Sequence, residues 1–121
     1  MITGIITTDL DPILDSVFMR AKDGSLIPVK TILDTGFNGA FCFPRCLLED
    51  LQLQPVGTVI LTLANGNEIE EQFYLGEVIV DNQPYFVEMS ATDLETALMG
   101  MEMLLEKEAI FNLKTMTISV V

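Results

Sequence analysis

An aspartate, a threonine and a glycine stand together as Asp34, Thr35 and Gly36, directly after the strand-forming residues 31–33 (TIL). Most acidic side chains of a folded protein lie on solvated surface, so a carboxylate at the end of an apolar strand indicates either a turn or a chemical site. A carboxylate in such a place can act as a general acid or a general base. Asp-Thr-Gly on its own is most often a turn, so both interpretations stay open at this point.

Strand and turn signals surround this triplet along the chain. Asp23-Gly24 and Asn65-Gly66 each separate two apolar runs, which predicts two hairpins, and residues 80–85 (VDNQPY) indicate a third, weaker turn. Ile69, Phe73 and Leu75 fall on one side of a predicted strand, as do Met116, Ile118 and Val120 near the C-terminus. The acidic run 67–72 (NEIEEQ) is interpreted as a solvated strand face.

Helical signals are short. Residues 44–53 begin with a proline and place three leucines at helical spacing, and residues 101–109 have a similar apolar spacing. No linker or repeat divides the chain, so we expect one domain over residues 1–121. The predicted fold class is all-β, a mostly antiparallel closed β-barrel with one or two short helices.

Composition limits the partners. Half of the 121 residues are hydrophobic and 20% are charged, as in globular proteins, and 18 acidic against 6 basic residues give a net charge of −12. Such a charge argues against binding to nucleic acid or to anionic lipid. The N-terminus has no signal-peptide pattern and no window approaches the roughly 18 apolar residues of a membrane span, so we expect a cytoplasmic protein without membrane contact.

Cys42 and Cys46 are four residues apart in a chain without histidine. A structural zinc site would lack ligands, so no metal is predicted. Reduced, partly buried thiols are the favoured interpretation.

The order of these motifs resembles the retropepsin-like aspartic proteases, the single-lobe enzymes of clan AA. The resemblance covers most of the chain: a hairpin at Asp23-Gly24, a strand into LDTG, a hairpin at residues 64–67 (ANGN), and residues 98–104 (LMGMEML) before a terminal strand. The continuation DTGFNG is most similar to bacterial members, which commonly place an aromatic residue and a second glycine there.

The resemblance implies an aspartic endopeptidase with an acid-protease barrel, no cofactor, and peptide or protein substrates. Asp34 is then the catalytic carboxylate, Thr35 bonds across a two-fold axis, and the Gly36 N–H faces the carboxylates. The chain has only one such triplet, so the resemblance implies a homodimer in which each chain supplies Asp34. Gly100 supports the Asp34 loop by close packing, although it also fits an isolated packing glycine.

The hairpin tip is implied to act as the flap that closes over substrate. Its residues are Ala64, Asn65, Gly66 and Asn67. They supply backbone hydrogen bonds and exclude water.

Two positions depart from the retroviral pattern. Met101 stands where those enzymes have arginine, and Asn38 stands where they have an acidic residue, so their ion pair is absent. Strands from residues 1–6 and 117–121 are predicted to pair across the two-fold axis instead. The alternative function is a non-catalytic module of the same fold that binds peptides or serves assembly.

Overall fold

The computed structural model describes all 121 residues. It contains twelve strands, one α-helix and one 3₁₀ helix. In chain order the elements are β1 (Ile2–Ile6), β2 (Pro12–Leu14), β3 (Val17–Arg20), β4 (Leu26–Pro28), β5 (Thr31–Leu33), β6 (Phe41–Pro44), α1 (Arg45–Asp50), β7 (Gly57–Thr62), β8 (Glu68–Val80), β9 (Gln83–Thr92), β10 (Ala97–Met99), the 3₁₀ helix (Met101–Leu104), β11 (Ala109–Asn112) and β12 (Thr117–Val120).

All strands belong to one sheet, in the order β11-β12-β1-β2-β5-β10-β6-β9-β8-β3-β4, and β7 pairs with β8 outside this path. The outermost strands β11 and β4 do not pair with each other, so the predicted closed barrel is wrong and the sheet is open. One end strand, β4, has only three residues and ends at Pro28, which lacks the N–H needed to extend a ladder. Most pairs are antiparallel, but β5–β10 and β6–β9 are parallel.

The core forms where the apolar faces of these strands meet. Phe41 and Phe43 are fully buried and stack at 5.2 Å between ring centroids. Ile118 and Val120 are buried and Met116 is half-buried, which confirms the alternation predicted near the C-terminus. Period-two burial of this kind fixes strand register, because a slip of one residue would expose the apolar side chains.

Both strong hairpin predictions are confirmed, with the same turn chemistry. Gly24 and Gly66 have φ of 87° and 85°, and each donates its N–H to the carbonyl three residues earlier, Ala21 and Leu63. Each turn is therefore a three-residue loop in which only the glycine adopts the left-handed conformation. The weaker turn is also present: Asp81 and Asn82, at φ 51° and 63°, join β8 to β9.

The first helix prediction is confirmed in a shorter form, since α1 begins at Arg45 and ends at Asp50. The second helix prediction, over residues 101–109, is wrong beyond its first turn. The 3₁₀ helix ends at Leu104, Glu106 adopts φ 62°, and Ala109 begins β11. Pairing of β11 with β12 draws this segment into the sheet, and tertiary contacts override helix propensity. No helix of the structure is both long and apolar enough to span a membrane.

The two terminal strands pair with each other inside one chain. Ile2 lies opposite Val120, and the other edge of β1 is occupied by β2. The prediction that these strands pair across a two-fold axis is therefore wrong, because β1 has no free edge. The free edge at this end of the sheet belongs to β11.

Candidate active site

The Asp34 carboxylate lies in a tight loop at the end of β5. The Asp34 N–H donates to the carbonyl of Met99 on the parallel neighbour β10 at 2.9 Å, so the sheet fixes the first residue of the loop. Its Oδ1 accepts the N–H of Gly36 at 2.9 Å, and its carbonyl accepts the N–H of Phe37 at 3.2 Å. These bonds hold the half-buried carboxylate in one orientation while its second oxygen has no hydrogen bond within the chain.

Gly100 packs against the backbone of this loop. A Cβ at Gly100 would lie 2.2 Å from the carbonyl oxygen of Gly39 and 2.6 Å from that of Phe37. The Gly100 N–H donates to Ala40, and the Met101 N–H donates to Phe37, both at 2.8 Å. The structure thus confirms the close packing predicted for Gly100, and only a glycine fits against the loop backbone without moving it.

Thr35 and Gly36 are exposed beside the carboxylate. A Cβ at Gly36 would lie 3.2 Å from Asp34 Oδ1, so a larger residue there would require the carboxylate to shift by a few tenths of an ångström. The Thr35 hydroxyl makes no hydrogen bond within the chain. Its bond across a two-fold axis stays a prediction, as do the catalytic roles of all three residues.

The predicted flap tip lies at the end of the β7–β8 hairpin. Ala64, Asn65, Gly66 and Asn67 are all exposed, and the Asn65 side chain accepts the Asn67 N–H at 3.0 Å. That bond, with the turn bond from Gly66 to Leu63, gives the tip a defined shape. The structure does not bring the tip together with Asp34 in one cavity, so its role as a flap stays a prediction.

A cavity of about 440 Å³ lies between the β7–β8 hairpin and the residues that follow the triplet. Neither the triplet nor the hairpin tip lines it. All of its lining residues lie outside the predicted site, and they come from the loop after Asp34, the start of β6, the hairpin flanks, β9 and the 3₁₀ helix: Phe37, Asn38, Gly39, Ala40, Phe41, Val59, Leu61, Glu71, Gln72, Phe73, Glu88, Met89, Ser90 and Glu102.

Period-two alternation could have identified part of this lining. Ile69, Glu71 and Phe73 share one face of β8, and Val59 lies directly opposite Glu71 on β7. The interpretation of residues 67–72 as a solvated face is therefore wrong for Glu71, which is half-buried in the cavity wall.

The two cysteines are free thiols in different surroundings. Cys46 is exposed, and Cys42 is half-buried on β6 opposite Ser90. Burial raises the pKa of the Cys42 thiol, so it is protonated at neutral pH and is a weak nucleophile. No group of three or more Cys, Asp or Glu side chains is arranged to hold a metal ion.

No known family model matches the sequence, and no curated protein matches it. Solved structures do resemble it. A retropepsin-like aspartic protease from Rickettsia conorii superposes with a TM-score of 0.65 at 15% identity, over 98% of this chain and 92% of that chain.

Viral structures give the same result over less of the chain. The simian foamy virus (mac) protease superposes with a TM-score of 0.54 at 22% identity, over 78% of this chain and 99% of that chain. The prototype foamy virus protease-reverse transcriptase superposes with a TM-score of 0.53 at 18% identity, over 74% of this chain and 11% of that chain. At these identities the likeness concerns the fold. The chain has the retropepsin-like fold.

Proposed function

We propose that the protein is an aspartic endopeptidase whose site forms between two copies of the chain, each supplying Asp34. The observation that carries this proposal is the loop geometry: the sheet and Gly100 hold Asp34 in place, and one carboxylate oxygen has no partner within the chain. Structural similarity to aspartic proteases supports the same reaction class. In the dimer, two Asp34 carboxylates share one proton and bind a water between them.

Each carboxyl group has a separate task in hydrolysis. The ionised Asp34 takes a proton from the water as it attacks the scissile carbonyl, and the protonated Asp34 of the second copy donates to the carbonyl oxygen. The first Asp34 then donates the proton that it took from the water to the leaving amine as the C–N bond breaks, and the second Asp34 regains its proton from the hydroxyl of the diol intermediate as the carboxyl product forms. The two-fold arrangement is needed because the chain carries no second Asp-Thr-Gly or Asp-Ser-Gly.

The free edge of β11 is the surface on which we place the second copy. Glu108 and Val121 exchange both backbone hydrogen bonds, at 2.9 and 3.0 Å, and Ile110 lies opposite Ser119. Hydrogen-bonded pairs alternate along an antiparallel ladder, so the N–H and C=O groups of Ala109 and Phe111 face outward.

This edge lacks the usual protection against pairing. Sheet edges are commonly blocked by charges, prolines or bulges, but β11 (AIFN) contains none of these, although the chain carries a net charge of −12. Ile110 and Phe111 are 43% and 38% exposed. Antiparallel pairing of two β11 edges places Ala109 opposite Phe111 in both directions and brings the two Ile110 residues together on the axis.

A cysteine at position 110 is expected to link the two copies. In this register Ile110 forms a non-hydrogen-bonded pair with itself, whose Cα separation of about 4.5 Å suits a disulfide. In a Cys46→Ser background, Ile110→Cys should give a covalent dimer on mild oxidation, of twice the 13.4 kDa chain mass, visible on a non-reducing gel. The matched control is Ile5→Cys in the same background. Ile5 is 53% exposed, but it lies on β1, which is paired on both edges, so this variant should give no dimer band.

Sedimentation of the unmodified protein completes this test. We expect a dimer at concentrations where peptides are cleaved. Equal cross-linking of both cysteine variants would contradict pairing through β11, and cleavage by a protein that sediments as a monomer would contradict the shared site.

Peptide cleavage is the direct test of the proposed reaction. The purified chain is incubated with a mixed peptide library across pH 3 to 8, and products are identified by mass spectrometry. We expect internal cleavage by the wild type and none by Asp34→Asn.

A non-catalytic peptide-binding module is the second candidate. It is favoured by one observation, that the triplet does not line the cavity beside it. In that case the library would be bound and left intact by the wild type and by Asp34→Asn alike.

A further inference from the structure

The cavity beside the Asp34 loop has mostly apolar walls. Phe37 and Phe41 come from the segment after the triplet, and Val59, Leu61 and Phe73 come from the flanks of the β7–β8 hairpin. With about 440 Å³ it is large enough for one or two side chains of an extended peptide. Burial of the methylene groups of a bound side chain against these walls is favourable, because it removes apolar surface from water.

One charged side chain is placed within this apolar surface. Glu71 lies on the hairpin face that carries Ile69 and Phe73, directly across from Val59, and it is half-buried. Its sequence neighbour Glu70 lies opposite Ile60 on the other face of the hairpin and does not line the cavity. Glu70 and Glu71 are therefore neighbouring carboxylates on one strand, of which Glu70 is exposed to solvent and Glu71 is half-buried in the cavity wall.

Glu71 has no cation of its own. The salt bridges of the chain join the N-terminal amine to Asp81, Arg20 to Glu77 and Arg45 to Asp93, and neither Lys nor Arg lines the cavity. The hydrogen bond to Asp93 at 3.0 Å is the main cause of the raised pKa of Arg45, and Glu71 adds a weaker attraction. Glu88 and Glu102 also line the cavity, so its charge is wholly negative.

We propose that Glu71 is a specificity-determining residue, which makes the enzyme prefer peptides that carry Lys or Arg at the position bound in this cavity. The proposal rests on the peptidase function proposed above. The aliphatic stem of such a side chain packs against Val59 and Phe73, and its charged end reaches the Glu71 carboxylate. An acidic residue at the same position is repelled by all three carboxylates.

The charge preference is measured with matched peptides that differ at one position, Lys against norleucine, which keeps the methylene stem and removes the charge. Binding to the Asp34→Asn protein is followed by fluorescence anisotropy, and cleavage by the wild type is followed as kcat/KM. A partly buried charged hydrogen bond corresponds to an expected preference for Lys of about ten- to a hundredfold in both measurements. Glu71→Gln should remove most of that preference, leaving only the weaker attraction of Glu88 and Glu102, and Glu70→Gln should keep it.

Equal binding of the Lys and norleucine peptides, or equal loss of the preference in both Glu variants, would overturn the proposal. The binding measurement separates it from the proposed function. If the protein cleaves no peptide but binds the Lys peptide selectively through Glu71, the role of Glu71 is supported and the proposed peptidase function is contradicted. If peptides are cleaved without any preference for Lys, the peptidase function is supported and the role of Glu71 in specificity is contradicted.

Discussion

Replacing Asp34 with Asn is expected to lower the rate of peptide hydrolysis by about three orders of magnitude or more, since general acid and general base are lost from both copies at once. The amide oxygen of Asn can still accept the Gly36 N–H that Asp34 Oδ1 accepts at 2.9 Å, so the loop keeps its shape. Stability should be unchanged or higher, because the proposed dimer no longer holds together two carboxyl groups that resist ionising at such close range. Rates and thermal unfolding are measured on the same preparation.

Asp23→Asn is the matched control for this variant. Asp23 Oδ1 accepts the N–H of Ser25 at 2.9 Å, the same local hydrogen bond that Asp34 makes, but it lies in the exposed β3–β4 turn. Its activity should equal that of the wild type. Retained cleavage by Asp34→Asn would remove Asp34 from the mechanism. An equal loss of activity in both variants would show that the substitution acts by changing the structure of a turn and not by removing a catalytic group.

Gly100→Ala is expected to lower both the stability and the activity of the protein. The new methyl group would lie 2.2 Å from the Gly39 carbonyl oxygen, which belongs to the backbone and cannot rotate away. The loop or β10 must shift, at an expected cost of about 2 to 4 kcal/mol in the free energy of unfolding. Because the Asp34 N–H is bonded to Met99, beside Gly100, cleavage should fall together with stability, as measured by denaturant titration and peptide assay.

Gly76→Ala is the control for added volume alone. A Cβ at Gly76 would meet the terminal methyl and the sulfur of Met89 at 3.0 and 3.8 Å and a Leu53 methyl at 3.6 Å, all near the ends of flexible side chains. A smaller loss of stability and full activity are expected. If Gly100→Ala is as stable and as active as Gly76→Ala, the account of how the Asp34 loop is supported is wrong.

Local signals made much of this structure predictable. Gly24 and Gly66 mark hairpins because their turns need a residue that adopts positive φ without strain. Gly100 could be paired with the Asp34 loop because the motif order resembles a known family. The strand before Asp34 followed from three β-prone residues, and β10 completes it as a parallel neighbour.

Features that depend on distant pairing were not predictable. Barrel closure and the partners of β1 and β12 depend on which edges meet, and local sequence does not specify that choice. The helix expected over residues 101–109 was lost to pairing of β11 with β12. The position of Glu71 in the cavity depends on the β7–β8 register, which a run of acidic residues does not reveal.

Subunit mixing tests the shared site most directly. Wild-type and Asp34→Asn chains are combined in varied proportions at constant total concentration, allowed to exchange partners, and assayed for peptide cleavage. If each site needs Asp34 from both copies, activity falls as the square of the wild-type fraction, to about one quarter of full activity in an equal mixture. A linear decline, to about one half, would show that each chain carries a complete site of its own and would contradict the dyad.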